Sequence, residues 1–249
     1  MNIDFSHAFL TTMFGWLLGG FVNGIVGFGA ALVAMPIVAT GLDMPLAVST
    51  CGLVVLSLNF QMAWNYREHL DSCGIKALFL GGLPGAVCGV LVLKNVPEAG
   101  LKFGLGALLI AYSIWGLSGT QVNKRKLAAP WGMLAGFLST GLGTAFGFNG
   151  PPLAVYLSLR GGTQQQIKAA LGAFFIVSGL FIVAAHALAG LYSMHTLWLY
   201  IAALPSVSFG AWAGMRVSGR LQDLSFQRVL FLMILIMGLN MAFKALPAA

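Results

Sequence analysis

The stretch Gly20 to Val38, GFVNGIVGFGAALVAMPIV, is apolar enough to lie in lipid, yet it places Asn23 and four glycines where a membrane helix should run smoothly. It belongs to an apolar run near 8 to 40, longer than the roughly 20 residues that one bilayer crossing needs. A chain that turns inside a membrane leaves backbone N–H and C=O groups without helical partners. These are tolerated only where protein or a water-lined cavity satisfies them. The break therefore marks an interior position, and the fold turns on whether the run crosses once or doubles back.

The rest of the chain has the same character. Of 249 residues, 59% are hydrophobic and 8% charged, against about 25% charged in an ordinary soluble domain. One integral membrane domain over 1–249 is expected, with no soluble module. No Lys or Arg precedes Arg67, so the N-terminus lacks the positive region of a signal peptide. The net charge of +7 is dispersed between apolar runs, which fits orientation in a membrane better than nucleic-acid binding. Cys51, Cys73 and Cys88 lack metal-site or redox spacing and are expected to pack as small apolar residues.

Apolar segments fall near 8 to 40, 44 to 64, 74 to 93, 99 to 118, 130 to 160, 166 to 190, 193 to 215 and 226 to 246. The first and fifth exceed 30 residues and resemble each other. A slide of 116 positions pairs Gly20 with Gly136, Phe21 with Phe137, Gly27 with Gly143 and Pro36 with Pro152; a slide of 121 later pairs Pro84 with Pro205. An internal duplication is expected, with repeats over 8–118 and 130–246.

Charge then bears on topology. Eight full crossings in two parallel repeats distribute Lys and Arg six against seven, which leaves the positive-inside rule nothing to act on. If the first and fifth segments are re-entrant hairpins, the split becomes ten against three, with only Lys94, Lys102 and Lys244 on the poor side. That asymmetry favours an all-α polytopic protein of two inverted repeats. Each is a broken hairpin plus three transmembrane helices, and both termini lie outside the cytoplasm.

A half-helix that starts near the midplane points its unpaired N–H groups and positive dipole end inward. Such a start binds anions without a buried Lys or Arg. The expected site residues are Asn23, Gly27, Phe28, Gly29 and Pro36 in the first broken segment. In the second they are Ser139, Thr140, Gly143, Thr144, Asn149, Gly150, Pro151 and Pro152. Glycines here have an equally ordinary reading as close helix contacts, and each asparagine could simply cap a half-helix. His186 is the ionisable residue inside a span, either a proton relay or a structural histidine. No Asp or Glu lies in the spans, so coupling to H+ or Na+ would need His186, backbone oxygens or a protonatable substrate. No cofactor or metal is expected.

The two quoted signatures, GFVNGIVGFGAALVAMPIV and GFLSTGLGTAFGFNGPPLAVYL, resemble the paired glycine-rich motifs of the TauE/SafE sulfite exporter family along essentially the whole chain. The resemblance implies a secondary transporter of a small sulfur-containing or organic anion, such as sulfite, a sulfonate or sulfoacetate, in a bacterial inner membrane. Alternating access would carry the anion past the broken-helix tips. An anion channel with the same tips is one alternative. A membrane-embedded enzyme is another, but His7, His69, His186 and His195 are scattered and no zinc motif is present. An assembly subunit would leave the duplicated broken segments without a purpose.

Overall fold

The computed structural model describes residues 5–26, 29–66, 75–118, 127–160, 164–221 and 224–245. Among these there is no strand, and ten helices follow one another: α1 (Phe5–Val26), α2 (Ala30–Gly41), α3 (Met44–Tyr66), α4 (Ile75–Asn95), α5 (Glu98–Leu117), α6 (Ala129–Phe146), α7 (Gly150–Arg160), α8 (Gln164–Leu188), α9 (Met194–Leu221) and α10 (Leu224–Ala245). The first and fifth apolar segments each divide into two helices, α1/α2 and α6/α7. Five helices, α1, α4, α5, α8 and α9, are long and apolar enough to cross a membrane.

The helix faces show which solvent they meet. On α6 the buried side is Gly132, Ala135, Gly136, Ser139, Thr140, Gly143 and Thr144, while Trp131, Leu134 and Leu138 are exposed. On α4, Leu80, Leu83, Val87 and Leu91 are exposed. Small residues inside and large apolar ones outside invert the soluble pattern, as expected where lipid is the solvent and close backbone approach drives helix packing.

The chain forms two compact units. The first comprises Met1–Thr50, Asn95–Thr120 and Met194–Ala249, and the second Cys51–Lys94 and Gln121–Ser193, so neither follows one half of the sequence. In the first unit α2 folds back antiparallel on α1. A Cβ at Gly15 would meet Val38 and Ala34, one at Gly19 would meet Ala30, and one at Gly41 would meet Thr11 and His7. Helix α1 also runs parallel to α9, with Gly20 and Gly24 on the carbonyls of Val207 and Ala211, and Gly210 and Gly214 on those of Leu17 and Phe21. Helices α5 and α10 pair antiparallel, Gly106 against Gly238 and Ala242, and Gly116 against Phe231.

The second unit repeats this plan. Helix α7 folds back on α6, with Gly132 near Tyr156 and Gly143 near Asn149. Helix α4 runs parallel to α6, its Gly81 and Gly85 against the carbonyls of Met133 and Phe137. Helices α3 and α8 pair antiparallel through Gly52 with His186 and Ile182, and Gly179 with Leu56. The two parallel interfaces, α1/α9 and α4/α6, bring backbones together through glycines four residues apart, the small-xxx-small geometry of membrane helices.

Two expectations need correcting. The arm into each turn is not a half-helix: α1 has 22 residues and α6 has 18, about 33 and 27 Å. Only the returning arms are short, at 12 and 11 residues, about 17 Å each. Gly20, Asn23 and Gly24 do not break α1, because tight contact with α9 favours glycine there more than helix propensity disfavours it. The slide of 116 is also short by one helical turn. Helices α1 and α6 end at Val26 and Phe146, and α2 and α7 begin at Ala30 and Gly150, 120 positions apart. That register pairs Gly27-Phe28 with Gly147-Phe148. Glycines recurring every fourth residue make neighbouring registers look alike, which is why the shorter slide also scores.

Candidate functional site

The turn between α6 and α7 is built by three residues, Gly147, Phe148 and Asn149. Gly147 adopts a left-handed backbone, φ 73°, which glycine enters without the clash a Cβ would bring. Its N–H donates to the Gly143 carbonyl at 2.9 Å and the Phe148 N–H to that of Leu142 at 3.3 Å. Two of the carbonyls that a helix end leaves open are thereby satisfied. The Ser139 hydroxyl donates to the Asn149 carbonyl across the turn, and the Thr144 hydroxyl to the Thr140 carbonyl at 2.8 Å. Ser139, Thr140, Thr144 and Asn149 are all buried.

The α8 and α3 helices close around this turn. Ser178, Ile182 and His186 recur every four residues and so share one face of α8. Ile182 lies where a Cβ on Gly143 would be. His186 is fully buried, with Nε2 2.9 Å from the Thr144 carbonyl, a third open carbonyl of α6. Because a carbonyl only accepts, Nε2 carries the proton and Nδ1 of the neutral ring is an acceptor. From α3 the Cys51 thiol donates to the Gly147 carbonyl at 3.7 Å. Tyr192, in the connector after α8, stands edge-on to the His186 ring at 6.3 Å. Burial, and secondarily Cys51, pushes its hydroxyl pKa up and keeps it protonated. Four buried polar atoms of this unit have no hydrogen-bond partner: Thr140 Oγ1, Ser178 Oγ, His186 Nδ1 and Tyr192 OH. Each unmet group costs about 1–3 kcal/mol, so their concentration in one unit calls for a bound partner such as water or a ligand.

Helix α7 offers few backbone donors. Pro151 and Pro152 are its second and third residues and have no N–H, leaving Gly150 and Leu153 among the four open positions. Pro152 faces an apolar cavity of about 410 Å3 with Trp131, Leu134, Leu138 and Tyr156. In the first unit Gly29 precedes α2 with φ 92°, and the Leu32 N–H bonds its carbonyl at 3.0 Å. Ala30 and Ala31 follow it with N–H groups and no polar side chains. Asn23 is half-buried in the last turn of α1. Pro36 is buried in the middle of α2, away from the turn. Gly27 and Phe28 lie outside the described residues.

The expected residues are thus divided. Ser139, Gly143, Thr144, Asn149 and Gly150 come together at one turn with His186. Thr140 lies about two helical turns before it, with its hydroxyl toward Gly82 of α4, and Asn23 and Gly29 belong to the other unit. Cys51, Ser178 and Tyr192 were not expected. Only Ser178 carried a sequence signal, its spacing of two helical turns from His186.

No solved structure matches this chain. The Probable sulfite/organosulfonate exporter TauE of Cupriavidus necator is 25% identical over 237 residues, covering 92% of each chain. The family model described as Sulfite exporter TauE/SafE matches residues 12–241. On a match of that extent, the chain belongs to the TauE/SafE sulfite exporter family.

Proposed function

We propose that this protein is a secondary transporter of a small sulfur-containing anion, of the sulfite or organosulfonate class, across a bacterial inner membrane by alternating access. Proteins of this family are membrane exporters and not enzymes, and the Cupriavidus relative carries sulfite and organosulfonate in its description. The observation that carries the reading to particular residues is the buried turn of the second unit. There Ser139, Thr144 and Asn149 are buried against His186, and the same unit holds unpartnered buried polar atoms on Thr140, Ser178, His186 and Tyr192, with no Asp or Glu among its described residues. The single protons of Ser139 and Thr144 are spent on the Asn149 and Thr140 carbonyls, so the hydroxyls left to donate to an anion in this low dielectric are those of Thr140, Ser178 and Tyr192. At the corresponding turn of the first unit the donors are backbone N–H groups, at Gly29 and the start of α2. His186 is the relay candidate if the anion travels with a proton, because its Nδ1 is an open acceptor.

The inverted arrangement, with both termini outside the cytoplasm, draws support from charge within each unit. The antiparallel pair α5/α10 puts Lys102 and Lys244 at one end and Arg228 at the other. The parallel pair α4/α6 puts Lys76 at the end where α6 starts and α7 returns with Arg160, and Lys94 at the opposite end. Within each unit Lys94, Lys102 and Lys244 thus lie at the end opposite Lys76, Arg160 and Arg228, as the hairpin topology requires, and the remaining cations of that topology would make the latter ends cytoplasmic.

The test is flux and binding with purified protein. Sulfite, thiosulfate, sulfonates and carboxylates are compared for thermal stabilisation, since a ligand of the native state raises its stability. The anions that stabilise should then show saturable uptake and counterflow in proteoliposomes. Rates near free diffusion without counterflow would make the protein a channel, and no stabilisation by any sulfur anion would remove the proposal.

A further inference from the structure

The first unit contains a cavity of about 330 Å3 between the C-terminal part of α2, the start of α5 and the end of α10. Its α10 wall is one stripe, Met237, Asn240, Met241 and Lys244, spaced as neighbours on a helix face. Lys102 of α5 faces the same space, and Pro36 and Thr40 line it from α2. It therefore has a cationic rim and a soft apolar floor. Thioethers suit such a floor because they adapt to irregular chains. The Lys102 ammonium is held by Glu98 at 2.7 Å, and both side chains are partly exposed. Exposed pairs of this kind contribute little, so Lys102 can turn to an incoming anion.

The placement of these lysines is uneconomical unless they bind something. Only Lys94, Lys102 and Lys244 fall on the cation-poor side of the hairpin topology. Lys94 donates to the Ala189 carbonyl at 3.1 Å and so completes a helix end. The other two line this one cavity. We infer that the cavity is a second binding site, for an anion with an apolar tail: the head lies against Lys102, Lys244 and the Asn240 amide, and the tail over Met237, Met241 and Pro36. The sidedness rests on the proposed topology, but the site does not. An alkanesulfonate and an acidic phospholipid both present this chemistry.

Methane-, butane- and hexanesulfonate are titrated against the full-length protein in phosphatidylcholine nanodiscs, with sulfite in parallel, for wild type and K102Q/K244Q. Both lysines lie at helix ends, and an unchanged melting temperature without ligand verifies the fold. The expected result is affinity rising about fourfold per added methylene, falling about tenfold or more in the double variant, with sulfite stabilisation unchanged. Loss of sulfite stabilisation in wild type would strike the proposed function and leave this site standing. Adding phosphatidylglycerol to the nanodiscs separates the two sources. Weaker hexanesulfonate binding in wild type alone identifies a lipid headgroup as resident, and no competition identifies the free anion. Equal binding by wild type and K102Q/K244Q, or no dependence on tail length, overturns the inference. M241S, which keeps both lysines, should flatten the dependence on tail length without abolishing methanesulfonate binding.

Discussion

The two hairpins share one backbone plan and differ in what they present at the turn. The α1/α2 turn leads into Gly29-Ala30-Ala31, with backbone N–H groups and, at Asn23, one amide a turn earlier. The α6/α7 turn leads into Asn149-Gly150-Pro151-Pro152, which removes two backbone donors, and α6 brings the buried polar side chains Ser139, Thr140 and Thr144 into the same hairpin. The unsatisfied buried polar atoms divide unevenly too. Among the described residues the first unit has Trp16 Nε1 and Thr50 Oγ1, and the second has four, on Thr140, Ser178, His186 and Tyr192. The same hairpin plan thus carries buried polar side chains in one unit and mainly backbone donors in the other.

If the scaffold is shared, breaking it should cost the same in both hairpins. A side chain at Gly136 collides with the Leu78 carbonyl, and one at Gly20 with that of Val207. Gly136→Val and Gly20→Val should each lose about 3 kcal/mol or more, read as equal and severe drops in melting temperature in detergent. Marked inequality would show that the two interfaces are not equivalent. The left-handed glycines come next. Gly147→Ala and Gly29→Ala should each cost about 1–2 kcal/mol, measured by the same melt, with anion binding kept. His186→Ala uncovers the Thr144 carbonyl and should cost about 1–3 kcal/mol, whereas His186→Gln, which restores a donor, recovers most of the loss. A proton relay would show separately, as a flux defect in the glutamine variant despite its recovered melting temperature. The smallest effect should be Glu98→Gln, about 0.5 kcal/mol or less because the pair with Lys102 is exposed.

Much of the scaffold was legible before any coordinates. Segments longer than one span and interrupted by Gly and Pro announced both hairpins, and each resolved into a long and a short helix. What composition could not distinguish was a glycine that ends a helix from one that lets another helix approach. Gly20 and Gly24 lie in unbroken α1 against α9, although their local sequence looks as disruptive as that of Gly147. The deciding partner is more than 180 residues away. The same blindness placed Pro36 among the expected site residues, whereas it is buried in the middle of α2. At the site, Ser139, Thr140, Thr144 and Asn149 were legible as polar residues in an apolar run. Cys51 and Tyr192 were not, because only tertiary packing brings them to that turn.

The central claim, that side chains of the second hairpin hold the anion, is tested most directly by Thr140→Val. The Thr140 hydroxyl is buried and unpartnered, so replacing it with an isosteric methyl should leave the melting temperature unchanged or raise it. A hydrogen bond to an anion is worth about 1.5–3 kcal/mol, so sulfite binding, measured as stabilisation of the same sample, should weaken about tenfold or more. Thr140→Val should show that opposite pair of changes, and Asn23→Ala nearly wild-type binding. Undiminished sulfite binding in Thr140→Val, with loss in Asn23→Ala, would contradict it.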